Sequence, residues 1–264
     1  MLLKILAIGD IVGLRAASFL RENIWKIREN LSADAVIANG ENINDIKGIS
    51  PDEARSLLGS GIDLITTGNH IWDRRDIYPF LDSERLILRP ANFPPEAPGC
   101  GYTVIDICSY RFLCINAMGT MFIDSLENPF STVEKILRSE EGLYDFALLD
   151  FHAEATSEKI AMALNFDGRI NIIWGTHTHV QTADETVLPS GTGYITDLGM
   201  TGPSASILGA DPSVIIERFK THLPQRLIIA DSETVICGAL FTLDTESGRC
   251  VSVKRVRLAE DDLK

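Results

Sequence analysis

The chain has 264 residues, of which 45% are hydrophobic and 23% are charged, and its net charge is −13 at pH 7. This composition is typical of a globular chain with a sizeable core and excludes a disordered one. The acidic balance, without a stripe of lysine and arginine, excludes a protein that binds duplex nucleic acid through its phosphates. A small anionic substrate stays compatible with this charge, because bound divalent cations reverse the field locally.

The sequence has no segment typical of a membrane or exported protein. No apolar run reaches the length of a transmembrane helix. The apolar opening Met1–Ile8 is shorter than the core of a signal peptide and is soon followed by Asp10. The five cysteines include no Cys-x-x-Cys pair, which is typical of reduced thiols. We therefore expect a cytoplasmic protein without a membrane partner, and a homo-oligomer is left open.

Strand-like and helix-like segments alternate in the first third of the chain. Apolar runs predict strands over Leu2–Ile8, Ala35–Ala38 and Ile62–Thr67, and apolar residues at helical spacing predict a helix over Ala16–Leu31. Ser50 fits the N-cap of a second helix, with Pro51 at its first position and Glu53 completing a capping box. A β-α-β-α-β order of this kind favours a parallel or mixed sheet with crossover helices.

The rest of the chain is richer in strand patterns. The predicted strands are Tyr102–Ile107, Arg111–Asn116, Phe146–Phe151, Ile170–Trp174, Thr234–Leu243 and Cys250–Leu258. Before them, Arg89–Gly101 contains four prolines and two glycines, which predicts an extended loop. We expect an α/β sandwich of two mixed β-sheets flanked by helices, folded as a single domain over residues 1–264. Part of residues 92–128 is predicted to form a small cap over the functional site.

Polar side chains follow five of the apolar segments, and a glycine accompanies four of these groups. The groups are Gly9-Asp10, Gly40-Glu41-Asn42, Gly68-Asn69-His70, Phe151-His152 and Gly175-Thr176-His177-Thr178-His179. Because the carboxyl ends of parallel strands meet at one edge of a sheet, and glycine lets the chain turn there, we expect these side chains to meet. Carboxylate, amide and imidazole donors suit manganese, iron or zinc, and a metal pair is the usual clamp for phosphoryl displacement.

Four of the five histidines lie in these groups, which favours a shared metal site over isolated core histidines. The fifth, His222, is predicted to be a loop histidine that follows a helix. A binuclear amidohydrolase barrel is disfavoured, because its His-x-His pair lies on the first strand, whereas His177-Thr178-His179 comes late in this chain.

These groups resemble, in the same order, the signature blocks of the calcineurin-like metallophosphoesterase superfamily. The resemblance is closer to its YmdB-like bacterial branch, which hydrolyses cyclic nucleotides. The matching blocks are Gly9–Gly13, Ala38–Asn42, Gly68–Asp73, His152–Lys159, Gly175–Asp184 and Thr196–Pro203. Since the blocks span essentially the whole chain, the resemblance implies a calcineurin-like sandwich fold throughout.

The resemblance also implies two metal ions and a division of their ligands. One ion would be held by Asp10, Glu41, Asn42 and His179, and the other by Glu41, Asn69, His152 and His177. Glu41 would bridge the two. Iron or manganese is expected, with zinc or magnesium as alternatives. A metal-bound hydroxide would attack phosphorus, and His70 would protonate the leaving oxygen.

Some positions depart from the superfamily pattern or have two interpretations. Val12 stands where the superfamily places a second ligand, and Asn42 replaces that ligand, as in the YmdB-like branch. Arg15 is shifted by one position from the arginine of that branch, so its role is open. Asp73 either orients His70 or caps a helix. Three further residues either begin a solvated helix or support the site, and these are Glu154, Glu158 and Lys159.

The expected activity is hydrolysis of a small phosphoester, most simply a 2′,3′- or 3′,5′-cyclic nucleotide. A phosphomonoesterase such as a nucleotidase, using the same residues, is the first alternative. A non-enzymatic regulator that keeps the fold and binds a nucleotide is the second. The intact set of ligand types together with His70 argues against the regulator.

Overall fold

The computed structural model describes residues 1–44 and 46–263. In these ranges the strands are β1 (Leu2–Ile8), β2 (Asp10–Ile11), β3 (Ala35–Asn39), β4 (Leu64–Thr66), β5 (Tyr102–Ile107), β6 (Tyr110–Met118), β7 (Phe146–His152), β8 (Ile172–Thr176), β9 (Thr186–Val187), β10 (Gly193–Ile195), β11 (Met200–Pro203), β12 (Thr234–Asp244) and β13 (Arg249–Ala259). The helices are α1 (Leu14–Leu31), α2 (Pro51–Ser60), α3 (Tyr78–Ser83), α4 (Pro129–Ser139), α5 (Thr156–Asn165) and α6 (Pro212–Thr221).

The strands form two mixed sheets. The first has the order β2-β11-β12-β1-β3-β4, with β13 beside β12, and the second has the order β5-β6-β7-β8-β10-β9. Strands β1, β3 and β4 run parallel in the first sheet, as do β6, β7, β8 and β10 in the second. The predicted sandwich of two mixed sheets flanked by helices is therefore confirmed.

Strand β1 contributes to two apolar layers, because successive side chains of a strand point to opposite faces. Leu6 and Ile8 pack with the buried face of α1 in one core cluster. Leu3 and Ile5 pack between the two sheets, with Phe112 and Trp174 of the second sheet. Each fully buried aliphatic side chain of this kind stabilises the fold by about 1.5–3 kcal/mol.

Helix α2 begins at the predicted residue. The hydroxyl of Ser50 accepts the backbone N–H of Glu53 at 3.3 Å, and Pro51 occupies the first turn. The reciprocal half of the capping box is replaced by other contacts. The N–H of Ser50 donates to Asn44 Oδ1 at 2.8 Å, while the Glu53 carboxylate pairs with Arg21 at 2.8 Å. The local signal therefore located the helix start but not the partner of the glutamate.

Of the stretch in which a cap was predicted, residues 102–107 and 110–118 are the paired strands β5 and β6 of the second sheet. The cap and the single-domain organisation stay predictions. No helix in the described ranges is long and apolar enough to cross a membrane.

Candidate metal centre

The side chains predicted as ligands lie just beyond, or at, the carboxyl ends of the central strands. Asp10 follows β1, Glu41 and Asn42 follow β3, Asn69 follows β4, His152 ends β7, and His177 and His179 follow β8. The backbone passes so close to them at Gly68 that a Cβ atom there would lie 2.2 Å from His152 Nε2 and 2.4 Å from Glu41 Oε2. Glycine is required at this position by lack of space.

One group of donors surrounds the ring of His152. Its Nε2 atom lies 3.1 Å from Glu41 Oε1, 3.1 Å from Asn69 Oδ1 and 3.1 Å from His177 Nδ1. A single proton on Nε2 cannot be donated to three acceptors together, whereas a cation can be shared by all of them. Donor atoms of Glu41, His152 and His177 lie within 4.8 Å of one another, close enough to bind one ion.

A second group of donors adjoins the first. His179 Nε2 lies 3.9 Å from Asp10 Oδ1 and 3.3 Å from Asn42 Nδ2, and Asn42 Nδ2 lies 3.3 Å from Glu41 Oε1. Rotation of the Asn42 amide by half a turn presents its oxygen to the same point. The Glu41 carboxylate thus contacts both groups, through His152 of the first and Asn42 of the second.

Asp10 provides the observation that tests whether a metal fits. Its side chain is fully buried, and Oδ2 accepts the backbone N–H of His177 at 3.1 Å. Oδ1 has no hydrogen-bond partner among the described residues. An unpaired carboxylate oxygen removed from water is unfavourable, and a bound cation would satisfy it. The donor set therefore fits a metal centre, although the number and identity of the ions stay predictions.

Hydrogen bonds at the Nδ1 atoms of His152 and His179 fix the tautomers of these two histidines. The Thr176 hydroxyl donates to Asp150 Oδ1 at 2.7 Å, so at 2.9 Å it can only accept the proton of His152 Nδ1. His179 Nδ1 donates to the carbonyl oxygen of Leu208 at 3.1 Å. In both neutral rings the lone pair is therefore on Nε2, which faces the carboxylates of the site. Such outer contacts orient metal-binding imidazoles in other proteins.

Burial and neighbouring charges shift the pKa values of the cluster in different directions. Burial raises the pKa of Asp10, and it raises the pKa of Asp150 to about 6. Burial opposes charge on His152 and Glu41 as well, but their mutual attraction outweighs it, raising the pKa of His152 and lowering that of Glu41. Burial and the neighbouring charge of His152 lower the pKa of His177 to about 3.

His70 lies at the open side of this cluster. Its backbone N–H donates to Glu41 Oε2 at 3.1 Å, and its ring lines a cleft of about 280 Å³ together with His177 and His179. The Asp73 carboxylate lies 2.9 Å from His70 Nδ1. Of the two interpretations of Asp73, the contact matches the one in which it orients the ring. The other ring nitrogen, Nε2, is left for exchange of a proton with a ligand in the cleft.

Known proteins resemble this chain over nearly its whole length. The sequence model described as "YmdB-like protein" matches residues 6–256. The chain belongs to the YmdB-like family. The 2′,3′-cyclic-nucleotide 2′-phosphodiesterase of Bacillus subtilis is 40% identical over 261 residues, covering 99% of this chain and 99% of that protein.

Two crystal structures are similar over nearly their whole lengths. A protein from Thermus thermophilus is 38% identical, with a TM-score of 0.91 over 98% of this chain and 100% of that chain. A phosphatase of Mycoplasma pneumoniae is 30% identical, with a TM-score of 0.93 over 99% of this chain and 95% of that chain. The predicted metallophosphoesterase family and its fold are confirmed, and the chain is a phosphoesterase. The individual ligands and His70 stay predictions.

A buried ion pair supports the histidine loop of this YmdB-like chain, and sequence reasoning assigned it no definite role. Lys159 Nζ lies 2.7 Å from Asp197 Oδ2, and both side chains are 1% exposed. The same carboxylate accepts the backbone N–H groups of Thr178 at 3.1 Å and Gly199 at 2.8 Å. The sequence allowed two interpretations of Lys159, as part of a solvated helix start or as a residue that supports the site. Its buried contact with Asp197 matches the second. The available signal was the presence of Lys159 and Asp197 in two of the family blocks.

The other residues whose roles the sequence did not settle differ in where they lie relative to the cleft. Glu158 is buried, and its carboxylate accepts the backbone N–H groups of Thr120 at 3.0 Å and Met121 at 3.3 Å, so it holds a neighbouring loop. Glu154 is 51% exposed at the rim, with Oε2 3.0 Å from His177 Nε2.

Arg15 pairs with acidic side chains outside the cleft, at 3.2 Å from Asp231 and 3.1 Å from Glu260. His222 forms the C-cap of α6.

Proposed function

We propose that this protein is a dinuclear-metal phosphodiesterase that hydrolyses cyclic nucleotides, above all nucleoside 2′,3′-cyclic phosphates. The observation that carries the proposal is the group of oxygen and nitrogen donors at one cleft, which includes the Asp10 oxygen without a partner in the described ranges. The activity named for the Bacillus subtilis relative supports this choice of substrate. Nucleoside 3′,5′-cyclic phosphates are the second substrate class.

The two groups of donors would hold the two ions. Asp10, Asn42 and His179 would bind one, Asn69, His152 and His177 the other, with Glu41 shared. Carboxylate, amide and imidazole donors without a thiolate suit iron or manganese. When bound, such ions withdraw charge from the phosphoryl oxygens and make a bound water more acidic. The hydrogen bonds of Thr176 and Leu208 would keep the Nε2 lone pairs directed at the ions.

The chain's own groups then complete the reaction. The oxygen of a water molecule forms a bond to phosphorus, the bond from phosphorus to the 2′-oxygen breaks, and the 2′-oxygen takes up a proton. His70 is the donor of that proton, because it lines the cleft and its Nδ1 is held by Asp73 at 2.9 Å. The product is a nucleoside 3′-phosphate.

Replacing His70 with alanine is expected to leave the metal content unchanged and to lower kcat by about 10²- to 10⁴-fold. The backbone N–H that contacts Glu41 remains, so the metal centre is retained while the proton donor is lost. Elemental analysis and steady-state kinetics on the same preparation measure both quantities. Asp73→Asn, which weakens only the orientation of the ring, should lower kcat less. A His70→Ala rate equal to that of the parent protein would remove His70 from the mechanism.

Removal of metal tests the proposed function directly. Treatment with a chelator, followed by dialysis, is expected to abolish hydrolysis of adenosine 2′,3′-cyclic phosphate, and added Mn²⁺ or Fe²⁺ should restore it. Elemental analysis should give up to two ions per chain. Phosphate release from 3′-AMP or 5′-AMP in preference to cyclic substrates would identify a phosphomonoesterase instead. Tight nucleotide binding without turnover by any metal-loaded sample would favour a regulator.

A further inference from the structure

A second and larger cleft adjoins the candidate metal centre. Its volume is about 770 Å³, and it shares Ile46, Lys47 and Leu227 with the 280 Å³ cleft that contains the histidines. The two clefts therefore form one continuous depression. The proposed reaction uses only its smaller end, and the larger end has no assigned role.

The larger cleft is basic, although the chain is strongly acidic. Lys47, Arg218 and Arg226 line it, and none of its described lining residues carries a carboxylate. None of these three cations forms an ion pair with a residue in the described ranges, whereas the chain has 37 acidic residues and a net charge of −13. Cations left unpaired beside a phosphoesterase site indicate a place for a second anionic group.

The cleft also has an apolar side, which is packed into the protein. Leu227 and Ile229 pack against Ile46 and Val12 in an apolar cluster of their own, and Ile228 lies between them in the lining. The turn that carries Lys47 is held by its backbone N–H, which donates to the carbonyl of Asn44 at 2.8 Å. An apolar surface beside cations can contact the apolar face of a base while the cations meet a phosphate, so it suits a nucleotide.

We infer that this larger cleft binds the penultimate nucleotide of an oligoribonucleotide, which is the 5′ neighbour of the nucleotide that carries the 2′,3′-cyclic phosphate. The inference rests on the proposed function and defines its substrate class as single-stranded RNA ends with a 2′,3′-cyclic phosphate. The 280 Å³ cleft is about the smallest size that holds a small ligand, so one nucleoside cyclic phosphate fills it. The phosphodiester on the 5′ side of that nucleoside would meet Lys47, Arg218 and Arg226, and the next base would lie on Leu227 and Ile228.

The test compares two substrates that differ by one nucleotide. Adenylyl-(3′→5′)-adenosine 2′,3′-cyclic phosphate is expected to have a kcat/KM about tenfold higher than adenosine 2′,3′-cyclic phosphate, mainly through a lower KM. The advantage should shrink as NaCl is raised, because contacts between exposed charges are screened. Equal values of kcat/KM for the two substrates at low salt would overturn the inference.

Charge variants identify the residues responsible. Arg226→Gln and Arg218→Gln should each reduce the ratio of the two kcat/KM values, and the double variant should bring it to about 1. Lys220→Gln is the matched control, because Lys220 is an exposed cation on α6 that does not line the cleft. It should keep the parent ratio. Thermal unfolding midpoints equal to that of the parent would exclude misfolding. A ratio retained in the double variant would contradict the assignment.

A binding measurement separates this inference from the proposed function. Adenylyl-(3′→5′)-adenosine 3′-phosphate and 3′-AMP, titrated calorimetrically into the metal-loaded protein, differ by the same nucleotide and need no turnover. The longer ligand should bind about tenfold more tightly, with the difference lost in the Arg218→Gln, Arg226→Gln double variant. If neither cyclic substrate is hydrolysed, the proposed function is wrong. The two dissociation constants still show whether the larger cleft binds the additional nucleotide. Equal dissociation constants would overturn the inference in either case.

Discussion

Replacing Glu41 with glutamine is expected to reduce kcat for cyclic-nucleotide hydrolysis by about 10³-fold or more and to lower the metal content of the protein. The Glu41 carboxylate contacts both donor groups, with Oε1 3.1 Å from His152 Nε2 and 3.3 Å from Asn42 Nδ2. Glutamine has almost the same size, but it lacks the charge and cannot bind two cations through two equivalent oxygens. Elemental analysis and kinetics with adenosine 2′,3′-cyclic phosphate measure the two effects.

The control for this variant is Glu29→Gln on the exposed side of α1, which removes the same charge far from the cleft. It should retain both metal content and rate. Glu41 would lose its role as the shared ligand if the glutamine variant kept the metal content and the rate of the parent protein.

Replacing Lys159 with methionine is expected to destabilise the protein by about 3–5 kcal/mol, because it leaves the Asp197 carboxylate buried without its counter-charge. The pair is 2.7 Å apart and 1% exposed on both sides. Asp197 also holds the backbone of Thr178, between the two predicted ligands His177 and His179. A lower metal content should therefore accompany the loss of stability. Urea unfolding gives the free-energy difference from the shift of the midpoint.

Two comparisons show whether the buried charge is the cause. The double variant Lys159→Met, Asp197→Asn removes both charges and should recover part of the lost stability. Lys135→Met removes a lysine that is 69% exposed and paired with Glu127, and should change the free energy of unfolding by no more than about 1 kcal/mol. Equal destabilisation by Lys159→Met and Lys135→Met would contradict the proposed role of the buried pair.

Long apolar runs were sufficient to predict the central strands. Leu2–Ile8 has the predicted bounds, and Phe146–His152 differs from its prediction by one residue at the end. Helix Pro129–Ser139 was not predicted, although Val133, Ile136 and Leu137 have helical spacing and Asn128 followed by Pro129 marks its start. The two-residue strands Asp10–Ile11 and Thr186–Val187 are too short for any period and depend on pairing with distant strands.

The grouping of the strand-end side chains was also predictable, because it follows from where parallel strands end. The residues that support them were not, since their roles depend on contacts between distant parts of the chain. Asp150 lies in an apolar strand and accepts hydrogen bonds from the hydroxyls of Thr66 and Thr176, which belong to different sheets. Lys159 is buried and pairs with Asp197, which lies 38 positions later in the chain. Neither partner can be identified from local spacing.

The two donor groups come from strands of both sheets, since Glu41 follows β3 and His152 ends β7. Each ion of the proposed pair would act as a reversible cross-link between the two layers of the sandwich, much as a disulfide does in a secreted protein. Only the folded chain offers these donors, so a free metal concentration one hundred times the dissociation constant would add about 2.7 kcal/mol to stability. Metal supply in the cell would then govern the lifetime of this enzyme against proteolysis as well as its rate.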